Sequence, residues 1–154
     1  MSGLELNNFN ERQKRTTIIK FFGELYCYQI IESELIFQIL YTILEFGHDN
    51  EKKMELIDNA DDNFRVTLVC TLLDSVKEYF SKKRLKIKVE RFLMFFQKYI
   101  LSKTYLPMLS EFMVLDLIEY LCPGIKIYKN LKDATEACAN FEVKNIYIIN
   151  SNVN

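Results

Sequence analysis

Five basic residues lie within a short stretch of this 154-residue chain, and they are suited to binding an anionic ligand. This cluster, called the basic turn below, consists of Lys82, Lys83, Arg84, Lys86 and Lys88. Lys and Arg side chains bind the phosphates of nucleic acids in a salt-dependent way. A solvated surface turn has the same composition, and the following aromatic residues, Phe92, Phe95 and Phe96, have the spacing of core residues rather than of a base-stacking platform. The sequence leaves both interpretations open.

Acidic residues form a second charged group, and they are separated from the basic one along the chain. Residues 82–103 hold eight Lys/Arg and one acid, a net charge of +7, so the remainder carries −8 because the whole chain carries −1. Glu5, Glu11 and the acid-rich segment 45–62 could bind a basic protein partner through complementary charge. A hydrated acidic surface is the alternative interpretation.

Residues suited to catalysis are sparse. The single histidine, His48, follows Gly47 in a polar segment, where capping of a helix end is a better explanation than general-base chemistry. The glycines are too far apart to form a phosphate-binding loop. Asp61 and Asp62 precede an apolar run, where helix capping again explains them better than a metal does. We therefore predict a protein that is not an enzyme and that uses no metal or cofactor.

The cysteines and the apolar runs bear on the cellular compartment. Cys27, Cys70, Cys122 and Cys138 lie far apart, without the C-x-x-C spacing of zinc or redox sites, and we predict reduced thiols, mostly in the core. Charged or amide residues interrupt every apolar stretch before the roughly 18 residues that a membrane span needs. The N-terminus has no signal-peptide pattern. We expect a cytoplasmic protein, and a perinuclear location within the cytoplasm is compatible with this expectation.

Apolar residues recur at helical spacing through most of the chain and predict an all-α fold of about six helices. The predicted helices span about 10–30, 33–47, 62–80, 85–100, 107–121 and 130–141, and residues 48–61 are predicted as a loop. Antiparallel hairpins joined by short turns build HEAT-like α-solenoids, although a closed bundle would satisfy the same helix count. We predict a domain over residues 1–142 and a tail over residues 143–154.

Two motifs make the chain recognisable. The first is G-E-L-Y-x-Y-x-x-x-E-S at residues 23–33, and the second is L-V-C-T-L-L-D at residues 68–74. With the segment ERFLMFFQKYI, residues 90–100, they resemble the C-terminal half of the third middle-domain repeat of the regulator of nonsense transcripts 2 family. That repeat belongs to the wider family built on the middle domain of translation initiation factor 4G. The resemblance covers about residues 5–142.

The resemblance implies a helical solenoid that acts as a scaffold in nonsense-mediated mRNA decay. It implies binding to the RNA-recognition-motif domain of a regulator of nonsense transcripts 3-type protein through acids at and before the GELY motif, for which Glu5, Glu11 and Glu24 are the candidates. RNA is a second candidate partner. The alternative function is a translation-initiation-type middle domain that binds RNA or an RNA helicase through the basic turn.

The resemblance also implies that helices preceding Glu5 in the family are missing from this chain. In that case the outer face of the first helix is uncovered, and Ile18, Phe21 and Phe22 are candidates for an exposed apolar patch. We expect self-association through this face.

Overall fold

A computed structural model describes the backbone of residues 3–45, 63–103 and 105–152, and the side chains of residues 9–144 within those ranges. The described residues form six α-helices: α1 (Gly3–Cys27), α2 (Ser33–Glu45), α3 (Phe64–Phe80), α4 (Lys86–Leu101), α5 (Met108–Leu121) and α6 (Leu131–Asn152). A 3₁₀ turn, Lys83–Leu85, joins α3 to α4. The all-α prediction is confirmed. In these ranges no helix is both long enough and apolar enough to cross a bilayer.

The helices stack in two layers. Helices α1, α3 and α5 pack side by side in one layer, and α2, α4 and α6 form the other, while the contacts of α1 with α2 and of α3 with α4 join the layers. Successive antiparallel helices that alternate between two layers are the arrangement of a HEAT-like solenoid. The helix count alone was compatible with either a solenoid or a closed bundle, and the structure supports the solenoid.

Helix α3 lies at the centre of the packing and contacts α1, α2, α4 and α5. Its buried side chains occupy more than one helical face, as expected for a helix that has neighbours on several sides. They are Val66, Leu68, Val69, Cys70, Leu72, Leu73, Val76 and Phe80. The surrounding helices are thus positioned by the burial of α3.

An aromatic cluster joins α1, α2 and α3 near the end of α3. The Phe80 ring stacks on Phe37 of α2 with 4.9 Å between centroids and meets Tyr26 of α1 edge-on at 5.5 Å. Tyr26 also meets Tyr79 edge-on at 5.8 Å. Stacked and edge-on pairs of this kind add stability beyond area burial. The tyrosine of the GELY motif is thus a packing residue of the core.

The glycine of the GELY motif permits a close approach of α1 to α3. A Cβ atom on Gly23 would lie 2.7 Å from the Ser75 Cβ, well inside van der Waals contact. One turn later, the Cys27 thiol donates a hydrogen bond to the Ser75 carbonyl oxygen at 3.3 Å. The distance between α1 and α3 is therefore set at Ser75, where Gly23 packs against the side chain and Cys27 bonds to the carbonyl oxygen.

The last helix begins as the sequence predicts but ends later. Asn130 Oδ1 accepts a hydrogen bond from the Asp133 backbone N–H at 2.8 Å, which caps the start of α6. The helix then runs to Asn152, so residues 143–152 of the predicted tail continue it. The division into a domain over 1–142 and a tail over 143–154 stays a prediction. The predicted loop over residues 48–61, with His48, and the capping residues Asp61 and Asp62 lie outside the described residues.

Gln97 is the buried polar side chain of α4, and it fixes the connection between α5 and α6. Its Nε2 donates a hydrogen bond to the Lys126 carbonyl oxygen at 3.2 Å, and its Oε1 accepts one from the Tyr128 backbone N–H at 2.9 Å. The side chain is 5% exposed. One amide therefore satisfies two backbone groups of an irregular segment, as buried polar groups require.

Replacing Gly23 by Ala tests the close approach of α1 and α3. Ala gains about 1 kcal/mol of helix propensity, but its Cβ would overlap Ser75, so we expect a net loss of about 1–3 kcal/mol in the free energy of unfolding. Urea denaturation measures this loss. The pair Gly23→Ala with Ser75→Gly should recover most of the loss relative to the sum of the single variants. An Ala variant as stable as the unchanged chain would contradict the overlap.

Replacing Gln97 by Leu tests the anchoring of the connection between α5 and α6. Two backbone groups would lose their partners, and we expect a loss of about 1–3 kcal/mol in the free energy of unfolding. Faster amide hydrogen exchange at Tyr128 should accompany the loss. The same substitution at the exposed Gln38 is the control and should change stability by less than about 0.5 kcal/mol. Equal effects at both positions would rule out the anchoring role.

Candidate functional site

The basic turn lies at the junction of α3 and α4, where the 3₁₀ turn reverses the chain. All five of its basic residues are exposed. The Lys82 ammonium lies 5.1 Å from the centroid of the Tyr79 ring, a cation–π contact. Burial raises the pKa of Tyr26, and the Arg84 guanidinium near the Tyr26 hydroxyl offsets part of this rise. Lys82 and Arg84 of the basic turn therefore contact the aromatic cluster of the core.

Two members of the basic turn have carboxylate partners. Lys88 Nζ lies 3.1 Å from Glu34 Oε1 at the start of α2, and Lys86 Nζ lies 3.9 Å from Glu90 Oε1 one helical turn away. Exposed pairs of this kind contribute little to stability, but they reduce the local positive charge. Lys82, Lys83 and Arg84 are consequently the part of the basic turn best suited to bind an anion.

The aromatic residues that follow the basic turn are committed to packing. Phe92 and Phe96 are each 1% exposed and stack on one another with 5.8 Å between centroids. Phe95 is partly buried and meets Tyr41 at 5.4 Å. Neither fully buried ring can stack on a base, so electrostatic contact with phosphate is the chemistry that this surface offers.

Glu5, Glu11 and Glu24 all lie on α1, but Glu11 and Glu24 do not share one face. The acid-rich segment 45–62 lies outside the described residues, apart from Glu45 at the end of α2. Glu11 is exposed and forms a pair with Lys14, with 3.8 Å between Oε1 and Nζ. Glu24 is exposed near the C-terminal end of the helix. At 1.5 Å and 100° per residue, Glu11 and Glu24 lie about 20 Å apart along the axis and on roughly opposite sides. Glu5 lies in the same helix, with its side chain outside the described residues.

A groove between α1 and α5 is a feature that the sequence analysis missed. It has a volume of about 560 Å³, with α3 as its floor, and Glu24 and Asp116 stand on opposite walls. At one end the Lys77 ammonium pairs with Asp74 at 3.0 Å and lies 5.2 Å from the centroid of the Tyr120 ring. Because its residues come from three helices distant in sequence, no local pattern could have identified this groove.

The four cysteines are free thiols, as predicted. Cys70 and Cys122 are buried, and Cys27 and Cys138 are partly buried. Burial raises the pKa of Cys70 to about 12 and that of Cys122 to about 11. Thiols with pKa values this high are largely protonated near neutral pH and are poor nucleophiles, so these two residues are packing residues.

Comparison with known proteins identifies the fold family. The model of the MIF4G domain matches residues 2–123, which include α1 to α5. The chain belongs to the MIF4G domain family. This result confirms the resemblance drawn from the GELY and LVCTLLD motifs, and MIF4G domains are helical, HEAT-like solenoids of scaffold type.

The relatives of this MIF4G chain include regulators of nonsense transcripts and a nonsense-mediated mRNA decay protein. The chain is 39% identical over 140 residues to regulator of nonsense transcripts UPF2 of Arabidopsis thaliana and 34% identical over 149 residues to regulator of nonsense transcripts 2 of Homo sapiens, with 91% of the chain covered in both cases. It is 29% identical over 117 residues, 73% of the chain, to nonsense-mediated mRNA decay protein 2 of Saccharomyces cerevisiae. The chain spans about 12% of the length of the plant and human relatives. Its correspondence to a third repeat stays a prediction.

Proposed function

We propose that this MIF4G chain is a non-catalytic scaffold module of nonsense-mediated mRNA decay, acting in the cytoplasm, that binds the RNA-recognition-motif domain of a regulator of nonsense transcripts 3-type protein. The observation that carries the proposal is the similarity to regulators of nonsense transcripts over 91% of the chain, at 39% and 34% identity. The domain extends over residues 1–142 in this proposal, with residues 143–154 outside the binding module.

The partner binds to α1 in this proposal, through Glu5, Glu11 and Glu24. Glu11 and Glu24 are exposed, and the Glu11–Lys14 pair is long and solvated, so neither carboxylate is committed to the core. Glu11 and Glu24 lie on different sides of α1. The partner therefore either surrounds the helix and contacts both acids, or binds one side and contacts only one of them. Single charge reversals separate these cases.

Reversing each acid tests the binding surface. We expect Glu5→Arg, Glu11→Arg or Glu24→Arg to weaken binding of a regulator-3-type recognition domain about tenfold at the contacted positions, because like charges then face each other. Titration calorimetry at moderate salt measures the change. Glu136→Arg, at an exposed acid on α6, is the matched control and should leave the affinity unchanged. The proposal would be contradicted if the unchanged chain failed to bind the recognition domain, or if all three variants bound it as tightly as the unchanged chain does.

RNA binding by the basic turn is the second candidate function, as in a translation-initiation-type middle domain that binds RNA or an RNA helicase. The favouring observation is that Lys82, Lys83 and Arg84 stand exposed on a turn held by α3 and α4, while Lys86 and Lys88 face carboxylates. Phosphate contacts at the first three positions would be independent of sequence.

A salt titration tests the RNA surface. Changing Lys82, Lys83 and Arg84 to Ala removes up to three phosphate contacts, so we expect the slope of log affinity against log salt for single-stranded RNA to become shallower by about 2. Fluorescence anisotropy provides the affinities. The control changes Lys126, Lys129 and Lys132 to Ala, which removes the same charge from the α5–α6 side of the molecule. Identical slopes for the two variants would reject the basic turn as the RNA site.

A further inference from the structure

The α1–α5 groove brings together acidic residues from both recognisable motifs. Glu24 belongs to the GELY motif and Asp74 to the LVCTLLD motif, and both line this groove together with Asp116 of α5. The glycine and first tyrosine of the GELY motif and the apolar residues of LVCTLLD are buried, so packing explains them. Packing does not explain the two acids, which are exposed.

The acids of α1 and α3 lie at the same level along the groove. Gly23 packs against Ser75, and each of these residues is next in sequence to an acid of the groove. The contact therefore places Glu24 beside Asp74.

The acid of α5 lies at this level too. The Lys77 ammonium of α3 contacts the Tyr120 ring of α5, with 5.2 Å to its centroid. Helices α3 and α5 run in the same direction, because the chain reverses between successive helices. Asp74 precedes Lys77 by three positions and Asp116 precedes Tyr120 by four, so both acids lie about one helical turn before this contact. One carboxylate from each helix thus forms an acid band across the groove, defined as Glu24, Asp74 and Asp116.

The acid band is only partly neutralised by the chain itself. Lys77 Nζ pairs with Asp74 Oδ1 at 3.0 Å. Within the described part of the chain, no ion pair involves Glu24 or Asp116. Lys20, the other basic residue of the groove, lies one helical turn before Glu24. Two unpaired carboxylates on facing walls of a groove attract a cationic group.

The groove already holds one cationic side chain of its own. The Lys77 ammonium lies between the Asp74 carboxylate and the Tyr120 ring, so it has an ion pair and a cation–π contact. The hydrogen bond and the charge of Asp74 raise the pKa of Lys77. This arrangement shows which groups the walls offer to a cation, and Glu24 and Asp116 offer the same carboxylate chemistry without an occupant from the chain.

The form of the groove favours an organic cation that is attached to an apolar chain. In the described residues, no three carboxylate or thiol groups are close enough together to hold a metal ion. The volume of about 560 Å³ lies within the range of roughly 300–1,000 Å³ that is usual for ligand sites. Met113 is 45% exposed on the α5 wall and offers an adaptable apolar contact.

Arginine has the geometry that two facing carboxylates require. Its planar guanidinium carries five N–H donors that point to several sides, whereas it has no acceptor that a carboxylate would repel. Because it stays protonated, it keeps its charge at every pH at which the carboxylates are ionised.

The apolar patch that the sequence predicts on α1 is separate from this groove. Ile18 is 52% exposed and Phe21 is 57% exposed, whereas Phe22 is partly buried. None of the three residues lines the groove. Self-association through this patch stays a prediction.

We propose that the acid band binds an arginine side chain of a protein partner whose chain lies along the α1–α5 groove with an apolar residue against Met113. The guanidinium donates hydrogen bonds to Glu24 and to Asp116 on the facing walls. The carboxylates determine which side chain is bound, and the apolar contact adds affinity. The inference goes beyond the proposed function, because it concerns α3 and α5 and holds whether or not a recognition domain binds to α1.

An NMR titration of the unchanged chain with the peptide acetyl-Gly-Leu-Arg-Leu-Gly-amide tests the proposal. The amide signals of Glu24, Asp74 and Asp116 and of their neighbours should shift and saturate. The matched probe is the same peptide with citrulline, which has nearly the shape of arginine without its charge, and it should bind about tenfold more weakly. Equal binding of the two peptides, or no saturable shift in the groove up to about 10 mM peptide, overturns the proposal.

Converting two acids to amides tests the assigned carboxylates. Glu24→Gln with Asp116→Asn should weaken binding of the arginine peptide about tenfold and leave binding of the citrulline peptide unchanged. Glu32→Gln with Glu136→Gln, at two exposed acids outside the groove, removes the same charge and is the control. Circular dichroism verifies that the variants keep their helix content. Equal weakening by both double variants would make net charge the cause and overturn the assignment.

Reversing the charge of Lys20 tests the same site by a gain of affinity. Lys20→Glu adds a carboxylate one helical turn from Glu24 and should strengthen binding of the arginine peptide about threefold. Lys132→Glu, at an exposed residue of α6, is the control and should leave the affinity unchanged. No strengthening by Lys20→Glu, or equal strengthening by both variants, counts against the site. Because these measurements use the peptide alone, failure of a recognition domain to bind α1 would not affect them.

Discussion

Burial of α3 is the constraint on which the rest of the molecule depends. Its side chains must be removed from water on several sides at once, and no single neighbouring helix can cover them all. Helices α1 and α5 therefore flank it in one layer, while α2 and α4 cover it from the other. The Gly23–Ser75 approach allows α1 to come close enough to complete this burial. The packing of α3 also positions two surface features, because the basic turn follows its last residue and the α1–α5 groove lies over it.

The same packing determines which charges are available to a partner. The basic turn follows α3 directly, and contacts with Tyr79 and Tyr26 hold its first residues against the aromatic cluster. The pair of Lys88 with Glu34 exists because α4 lies beside the start of α2. The basic turn thus divides into two parts, since Lys82, Lys83 and Arg84 face solvent while Lys86 and Lys88 lie near carboxylates. The acids of α1 are likewise separated, because a straight helix distributes distant positions around its axis.

Much of the fold could be predicted from local pattern. Helical spacing located all six helices of the described residues, and the start of α6 depends on a capping interaction between Asn130 and Asp133 that is local in sequence. The helix ends were less accurate: α1 ends at Cys27 rather than near Ile30, and α6 runs beyond residue 143. In α5 the apolar residues Leu109, Phe112, Met113 and Leu115 are exposed, although they recur at the same helical spacing as the buried Leu117 and Ile118. Periodicity shows that a face is apolar, but it does not show whether anything covers that face.

Sequence alone determined the helical class, the free thiols, the charge separation and, through the GELY and LVCTLLD motifs, the family. These properties follow from residue types and from spacings of three and four positions, which are local quantities. Tertiary structure alone decided that Gly23 is a contact with Ser75, that Gln97 holds the segment at Lys126 and Tyr128, and that Glu24 and Asp116 face each other across a groove. Each of these contacts joins residues tens of positions apart, and only the packing of complete helices brings such residues together.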